Sequence, residues 1–168
     1  MKNKIVAFLL ILSAVVWFYT IIMRNMTLGS LFEFGTIQFR ADLTDDVERR
    51  HYSSLVEYAI IGAISYTVVL LSTIAFASTT AKPLKQRGWL VMSMILFLIF
   101  VPVEMYCFWL DWKLIGLQYW GNWPLEEFRK ALLNRVTALG GLPFIAQLCY
   151  FTIPLLIIFK PLKNTTSL

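Results

Sequence analysis

The residues of this chain best suited to chemistry are two acids that fall within or beside an apolar segment. Glu104 lies inside the stretch "VPVEMYCFWLDWK" (101–113), and Asp111 follows it by seven residues, so a helix places both carboxylates on one face. A lone carboxylate inside a membrane costs at least about 2.5 kcal/mol on insertion scales unless it is protonated, paired or hydrated. Glu104 therefore needs a partner, and the identity of that partner decides what the site can do.

Three other polar side chains, His51, Glu57 and Arg135, are expected near the same level of the predicted helices. Together with the two acids they form a candidate functional cluster, for which three interpretations are open. The first is a buried network in which Arg135 neutralises Glu104 and fixes the orientation of the helices. The second is a proton- or quinone-handling site that uses a desolvated carboxylate and the imidazole of His51. The third is a metal site formed by the imidazole and the three acids, although no diagnostic ligand spacing supports it.

The sequence contains no recognisable enzyme motif. A nucleophile elbow, a P-loop, a dinucleotide-binding fingerprint and an HExxH pattern are all absent. Cys107 and Cys149 fall in separate predicted spans, so their spacing provides neither a CxxC redox pair nor a zinc ligand set. The sequence favours a non-enzymatic protein and identifies no catalytic residue, cofactor-binding residue or metal ligand.

The composition is that of a membrane protein. Of the 168 residues 58% are hydrophobic and 15% charged, with a mean hydropathy of +0.68. Four apolar segments are each at or near the roughly 20 residues needed to cross a bilayer as a helix. The predicted spans are approximately residues 5–23, 55–79, 88–111 and 138–159. This pattern predicts an all-α, four-helix transmembrane bundle in a single domain, with the lipid bilayer as its main solvent.

The distribution of charge predicts the topology. The segments 1–4, 81–88 and 160–168 hold seven basic residues and no acidic one, whereas the segments on the other side hold eight of each sign. Because basic residues next to membrane spans stay on the cytoplasmic side, both termini are expected in the cytoplasm. The expected location is the plasma membrane, which in bacteria is the inner membrane. The net charge of +5 is explained by this topology, so no nucleic-acid partner is expected.

The two segments on the outer side are predicted to be structured. Residues 24–54 form a long outer loop, in which "LTDDVERR" (43–50) is expected to be a short helix capped by Thr44 or Asp45. Residues 112–137 form a second outer loop that ends in an interfacial amphipathic helix before the fourth span. That helix is predicted to begin at Pro124 with Asn122 as its cap. The pair Gly140 and Gly141 is expected to separate it from the fourth span.

Prolines and small residues indicate where the spans bend and pack. Pro102 removes the helical partner of the Leu98 carbonyl, which predicts a kink beside Glu104, and Pro143 and Pro154 are expected to act alike in the fourth span. Ala59, Gly62 and Ala63 form a candidate helix-contact stripe in the second span, for a helix of this chain or of a partner.

Tryptophans and tyrosines gather at the outer boundary, as in an aromatic belt, with a quinone- or sugar-stacking platform as the alternative; they are Tyr106, Trp109, Trp112, Tyr119, Trp120 and Trp123.

Three short stretches resemble a bacterial family of predicted four-span small integral membrane proteins of unknown function. They are "NMTLGSLFEF" (25–34), "EMYCFW" (104–109) and "EFR" (127–129), which are similar to an Asn-Leu-Thr…Gly-Ser-x-Phe-x-Phe motif, a Glu-aromatic stretch ending in Trp, and an Ala-Phe-Arg motif. The family's glycine doublet before the acid is replaced here by Pro102 and Val103. The resemblance implies a topology and no activity. The overall plan is also similar to that of immunity proteins for pore-forming colicins, without a shared motif.

These observations support two functional hypotheses of different classes. The first is a non-enzymatic accessory subunit or binding partner of another membrane protein, including immunity-type recognition, because the outer segments are elaborate and catalytic motifs are absent. The second is a proton- or quinone-handling redox component that uses Glu104 as an intramembrane carboxylate.

Overall fold

The structure is a computed structural model that describes residues 2–79, 88–121 and 124–161. Within these ranges the chain forms α-helices joined by short connections, and it forms no β-strand there. The helices are α1 (Lys2–Leu31), α2 (Asp45–Thr79), α3 (Gly88–Ile99), α4 (Val101–Trp120), α5 (Leu125–Val136) and α6 (Leu142–Phe159), with a 3₁₀ turn at Ala138–Gly141. The predicted cap Asn122 lies outside the described residues.

Among the described residues, four helical segments are long and apolar enough to cross a membrane, as the sequence predicts. They are Ile5–Leu31, Asp45–Ser78, Gly88–Trp120 and Ala138–Phe159. Three of them extend well beyond the predicted stretches. The first continues to Leu31, the second begins at Asp45, and the third continues to Trp120, through residues that were assigned to the second outer loop, 112–137. The connection between α1 and α2 is therefore residues 32–44 rather than 24–54.

The start of α2 differs from the prediction. The segment "LTDDVERR" does not form a separate short helix; from Asp45 onward it is the first part of α2. Acidic side chains in the first turn favour this start, and the Glu48 backbone N–H donates to the Thr44 carbonyl at 3.0 Å. The helix continues without a break because Tyr52, Leu55 and Val56 extend its buried face.

The third span is broken where Pro102 predicts a kink. α3 ends at Ile99 and α4 begins at Val101, with Phe100 at φ −95° and ψ 1° between them. Pro102 lies in the first turn of α4, where its missing N–H is tolerated. The break lies just before Glu104, whose backbone N–H donates to the Phe100 carbonyl at 3.0 Å.

The amphipathic helix and the glycine break before the fourth span are both present. α5 buries Phe128 and Leu132, and Pro124 is the residue before its first turn rather than its first helical residue. Positive φ angles at Leu139 (51°), Gly140 (61°) and Gly141 (86°) interrupt the helix before α6, and the two glycines adopt them without strain. Since α6 begins at Leu142, Pro143 lies in its first turn and bends nothing, while Pro154 lies inside the helix.

Two apolar cores hold the bundle together. An inner core of aromatic and aliphatic side chains joins α1, α2, α3 and α6, and consists of Trp17, Ile21, Tyr66, Val69, Phe97, Ala146 and Tyr150. A second core lies at the end of the bundle that carries α5, and consists of Leu31, Phe32, Tyr52, Leu55, Val56, Leu114, Phe128 and Leu132. We call that end of the molecule the capped end.

The candidate stripe on α2 is used within the chain. α1 packs along α2. A Cβ added at Gly62 would lie 3.2 Å from Thr20 Oγ1 on α1, so this glycine permits a close approach of the two helices. Ala59 is buried beside it and Ala63 is half-buried. Gly62 of the stripe therefore contacts α1.

Candidate functional site

A buried ion-pair network joins three helices near the capped end. Asp111 on α4 is only 2% exposed and accepts hydrogen bonds from two arginines. Arg24 on α1 binds it through both terminal nitrogens, with Nη1 2.8 Å from Oδ2 and Nη2 bonded to Oδ1. Arg135 in the last turn of α5 donates from Nε to Oδ1 at 2.9 Å. This network ties α1, α4 and α5 to one carboxylate.

Glu104 lies two turns before Asp111 on the same face of α4 and is 8% exposed. The charges of Arg135, Arg24 and Asp111 all act on its carboxyl group. We call Arg24, Glu104, Asp111 and Arg135 the charge cluster.

The charge cluster differs in two respects from the predicted network. The hydrogen bond of Arg135 goes to Asp111 rather than to Glu104, which it was expected to neutralise. Arg24 was not among the predicted members, because it was assigned to the outer loop rather than to the end of α1. Helix α1 continues through Arg24 to Leu31 and so brings the guanidinium against α4.

Two phenols extend the polar region from Glu104 toward the inner core. Tyr66 on α2 and Tyr150 on α6 are fully buried, and both interact electrostatically with Glu104. The Tyr150 hydroxyl lies close to both Glu104 and the Tyr66 hydroxyl, although neither phenol forms a hydrogen bond of good geometry within the described part of the chain. These phenols were not predicted from the sequence, because tyrosines in apolar spans carry no distinguishing pattern.

His51 and Glu57 were predicted to join the cluster, and neither has a described contact with it. Glu57 is exposed on α2 and His51 is half-buried. The sequence predicted that both residues lie at the same height along the bundle as Glu104 and Asp111. However, the face of α2 that packs against the other helices is the one bearing Tyr52, Val56 and Ala59. Among the described residues, no group of three or more His, Cys, Asp or Glu side chains is placed to hold a metal ion.

A second ionic site, which the sequence did not predict, joins α2 to α5. Glu48 is 1% exposed and receives Arg129 Nε at 2.7 Å and Nη2 at 2.6 Å. The hydroxyl of Tyr52 also donates to Glu48, while the Tyr52 ring stacks on Phe128 with centroids 4.3 Å apart. The hydrogen bonds to Glu48 raise the pKa of the Arg129 guanidinium, so this pair stays charged at accessible pH.

The chain between α1 and α2 forms a tight hairpin over residues 31–40. The backbone N–H of Glu33 donates to Gln38 O at 2.9 Å, Thr36 N–H to Glu33 O at 3.0 Å, and Arg40 N–H to Leu31 O at 3.0 Å. Gly35 supplies the positive φ of 75° at the turn.

The hairpin is anchored below its tip and leaves apolar side chains uncovered at it. The rings of Phe32 and Phe39 pack 4.8 Å apart at its base. Phe34 is fully exposed and Ile37 is more than half exposed at the tip. Beyond the base, Arg40 donates to Asp42, and this hydrogen bond lowers the pKa of the Asp42 carboxyl. The hairpin thus presents two apolar side chains on an ordered backbone.

The aromatic side chains along α4 form an outward-facing series. Trp109, Trp112 and Trp120 are more than half exposed, as expected for an aromatic belt at a membrane boundary. The ring of Trp112 lies 5.8 Å from that of Trp120, and Lys113 Nζ lies 3.9 Å above the Trp109 ring.

No protein-family model, curated protein or solved structure matches this chain.

Proposed function

We propose that this protein is a non-enzymatic membrane protein that binds another membrane protein, as an accessory subunit or by immunity-type recognition. The observation that carries this proposal is the hairpin at residues 31–40, which displays Phe34 and Ile37 on a backbone fixed by hydrogen bonds. A preordered apolar tip is suited to recognition, because little conformational entropy is lost when a partner covers it.

The charge cluster supports the same function by holding the capped end rigid. Asp111 joins α1, α4 and α5, and Glu48 joins α2 to α5, so both ionic sites include α5. Removal of charged groups from water costs free energy, so a buried ion pair adds little net stability. In this proposal its role is to select one arrangement of the helices that it joins. In this proposal the two sites fix the position of α5 and of the base of the hairpin.

The proposed orientation places the hairpin outside the cytoplasm. The supporting argument is the charge distribution of the sequence, in which the segments 1–4, 81–88 and 160–168 carry only basic residues. The resemblance to four-span bacterial membrane proteins and the plan of colicin-immunity proteins agree with this arrangement, in which the partner approaches from the outer side or within the membrane.

Site-specific photocrosslinking in native membranes tests the proposal. A photoreactive residue at position 34 should give a defined crosslinked product with a second protein, whereas one at Phe8 should not. Phe8 is the matched control because it is the same residue type, is also exposed, and lies near the other end of α1. Crosslinking of position 34 to lipid alone would contradict the proposal.

A binding measurement with the identified partner completes the test. Phe34→Ala should weaken binding by about 2 kcal/mol, which is roughly 30-fold, because buried aromatic anchors dominate protein interfaces. Phe8→Ala should leave the affinity unchanged. Equal affinities for the two variants would exclude the hairpin tip as the recognition surface.

A proton-handling function is the second candidate, and one observation favours it. Glu104 lies with two buried phenols, and Tyr150 is a close polar neighbour of both Glu104 and Tyr66, an arrangement of groups that can donate and accept protons. Under this hypothesis Glu104→Gln should abolish proton-coupled turnover and leave folding intact. Under the binding hypothesis the same substitution should alter only thermal stability.

A further inference from the structure

A groove under the hairpin is the largest cavity described in the molecule. It has a volume of about 430 Å³ and lies between the end of α1, the hairpin and the start of α6. Most of its lining is apolar, and Phe34 and Ile37 of the hairpin tip form part of that lining. A partner that covers the tip, as proposed above, therefore lies against the groove as well.

One carboxylate lines the groove. The side chain of Glu33 is exposed and forms no ion pair with any of the described residues. Of the described residues that line the groove, none is a lysine or an arginine. A purely apolar occupant would exclude water from this carboxylate without supplying a counterion, which costs free energy. The occupant is therefore expected to carry a positive charge.

Aromatic rings form another part of the lining. Phe34 is fully exposed, Phe144 is partly exposed, and Phe32 belongs to the wall at the base of the hairpin. The faces of aromatic rings attract cations, and a planar guanidinium can also stack on them, which an ammonium cannot do. The long aliphatic stem of an arginine packs on apolar surface while its charged end stays at a polar group. An arginine side chain therefore matches both the apolar walls and the carboxylate.

Lipids match this lining less well. A trimethylammonium headgroup has no N–H to donate to Glu33. In an aminophospholipid the ammonium is accompanied by a phosphate, for which the described lining offers no cationic side chain. An acyl chain would leave the carboxylate in apolar surroundings. A protein side chain brings a positive charge without an adjoining phosphate.

We propose that the groove receives an arginine side chain of the partner protein, whose guanidinium pairs with Glu33 while its stem packs against the apolar walls. The partner thus has an arginine in the segment that contacts the hairpin tip. This proposal rests on the partner-binding function and specifies the chemistry of the partner.

The first test uses the partner that photocrosslinking from position 34 identifies, and measures its affinity for the full-length protein in detergent. Glu33→Gln should weaken binding by about tenfold, which corresponds to about 1.4 kcal/mol and is close to what one hydrogen bond to a charged group contributes. Glu57→Gln, the matched control at an exposed acid on α2, should leave the affinity unchanged. Unchanged affinity in Glu33→Gln would overturn the arginine proposal and leave the partner-binding function standing. Absence of any crosslinked protein would remove both.

Charge exchange tests the identity of the partner residue. The partner segment crosslinked to position 34, once sequenced by mass spectrometry, should contain an arginine. Its replacement by glutamate should weaken binding, and combination of that partner variant with Glu33→Arg should restore at least part of the affinity. A crosslinked segment without an arginine would overturn the proposal, as would an exchange that restores nothing.

Substitutions at Gly29 test whether the groove is the place of binding. Gly29 lines the groove, and a Cβ added there meets nothing within 4 Å, so a larger side chain can enter the groove without a clash at its first atom. Gly29→Phe should occupy the space of the arginine stem and weaken binding, whereas the matched control Gly29→Ala should not. Thermal unfolding shows whether each variant is folded. Equal affinities of the two folded variants would place the arginine outside the groove and overturn the proposal.

Discussion

Arg135 Nε lies 2.9 Å from Asp111 Oδ1, a contact that joins the last turn of the amphipathic helix α5 to the buried face of α4. Arg24 approaches the same carboxylate from α1. An interfacial helix that could lie loosely on the membrane surface is thereby held to two membrane spans. Asp111 is thus one of two buried acids that hold α5 in place, the other being Glu48 on α2.

Asp111→Asn should therefore be strongly destabilising. It leaves two buried guanidinium groups without their carboxylate, and removal of one partner from a buried ion pair typically costs about 3–5 kcal/mol. Thermal unfolding in detergent should show a large decrease in Tm. Asp42→Asn is the matched control, because Asp42 forms an exposed pair with Arg40 and its replacement should change Tm only slightly. Similar effects of the two substitutions would contradict the buried network.

Glu48 and Arg129 should be coupled energetically. In a double-mutant cycle with Glu48→Gln and Arg129→Met, the combined loss should be smaller than the sum of the single losses by about 1–3 kcal/mol, because both single variants break the same contact. In the control cycle, Glu126→Gln is combined with Arg129→Met. Glu126 also contacts Arg129, at 3.2 Å, but its side chain is mostly exposed. Additive effects in the Glu48 cycle would rule out the ionic site between α2 and α5.

Gly62 should tolerate substitution less well than Gly29. A leucine at position 62 would collide with Thr20 on α1 and force α1 and α2 apart, at a cost of about 1–3 kcal/mol. Gly29→Ala should instead stabilise α1 by up to about 1 kcal/mol, because it replaces a helical glycine where space is open. Thermal unfolding of the two variants measures the difference. Tolerance of leucine at position 62 would mean that the α1–α2 contact is looser than described.

The number of membrane spans, the break near Pro102 and the amphipathic helix could be predicted because each has a local signal. Apolar length identifies a span, proline removes a specific backbone donor, and the alternation of apolar and charged residues in α5 indicates its two faces. These signals depend on neighbouring residues only. They require no knowledge of which helices touch.

The membership of the charge cluster could be predicted only in part, because it depends on contacts between helices. Asp111 and Arg135 pair as neighbours in the fold, yet nothing local in the sequence identifies Arg24 as the second donor. Glu57 was assigned to the cluster by its level along α2, and the side of the helix that packs inward excludes it. In a soluble protein the buried face of a helix can be predicted from the periodicity of its apolar residues. In a membrane span the lipid-facing and the buried faces are both apolar, so this periodicity is weak.

The orientation of the hairpin in the membrane is the central claim of this account, because partner recognition from the outer side depends on it. Thr36→Cys places a thiol at the exposed hairpin tip, and Leu84→Cys places one in the basic segment between the second and third spans. In intact cells, a membrane-impermeant maleimide should label position 36 at once and position 84 only after permeabilisation. Labelling of position 84 but not position 36 in intact cells would contradict the account.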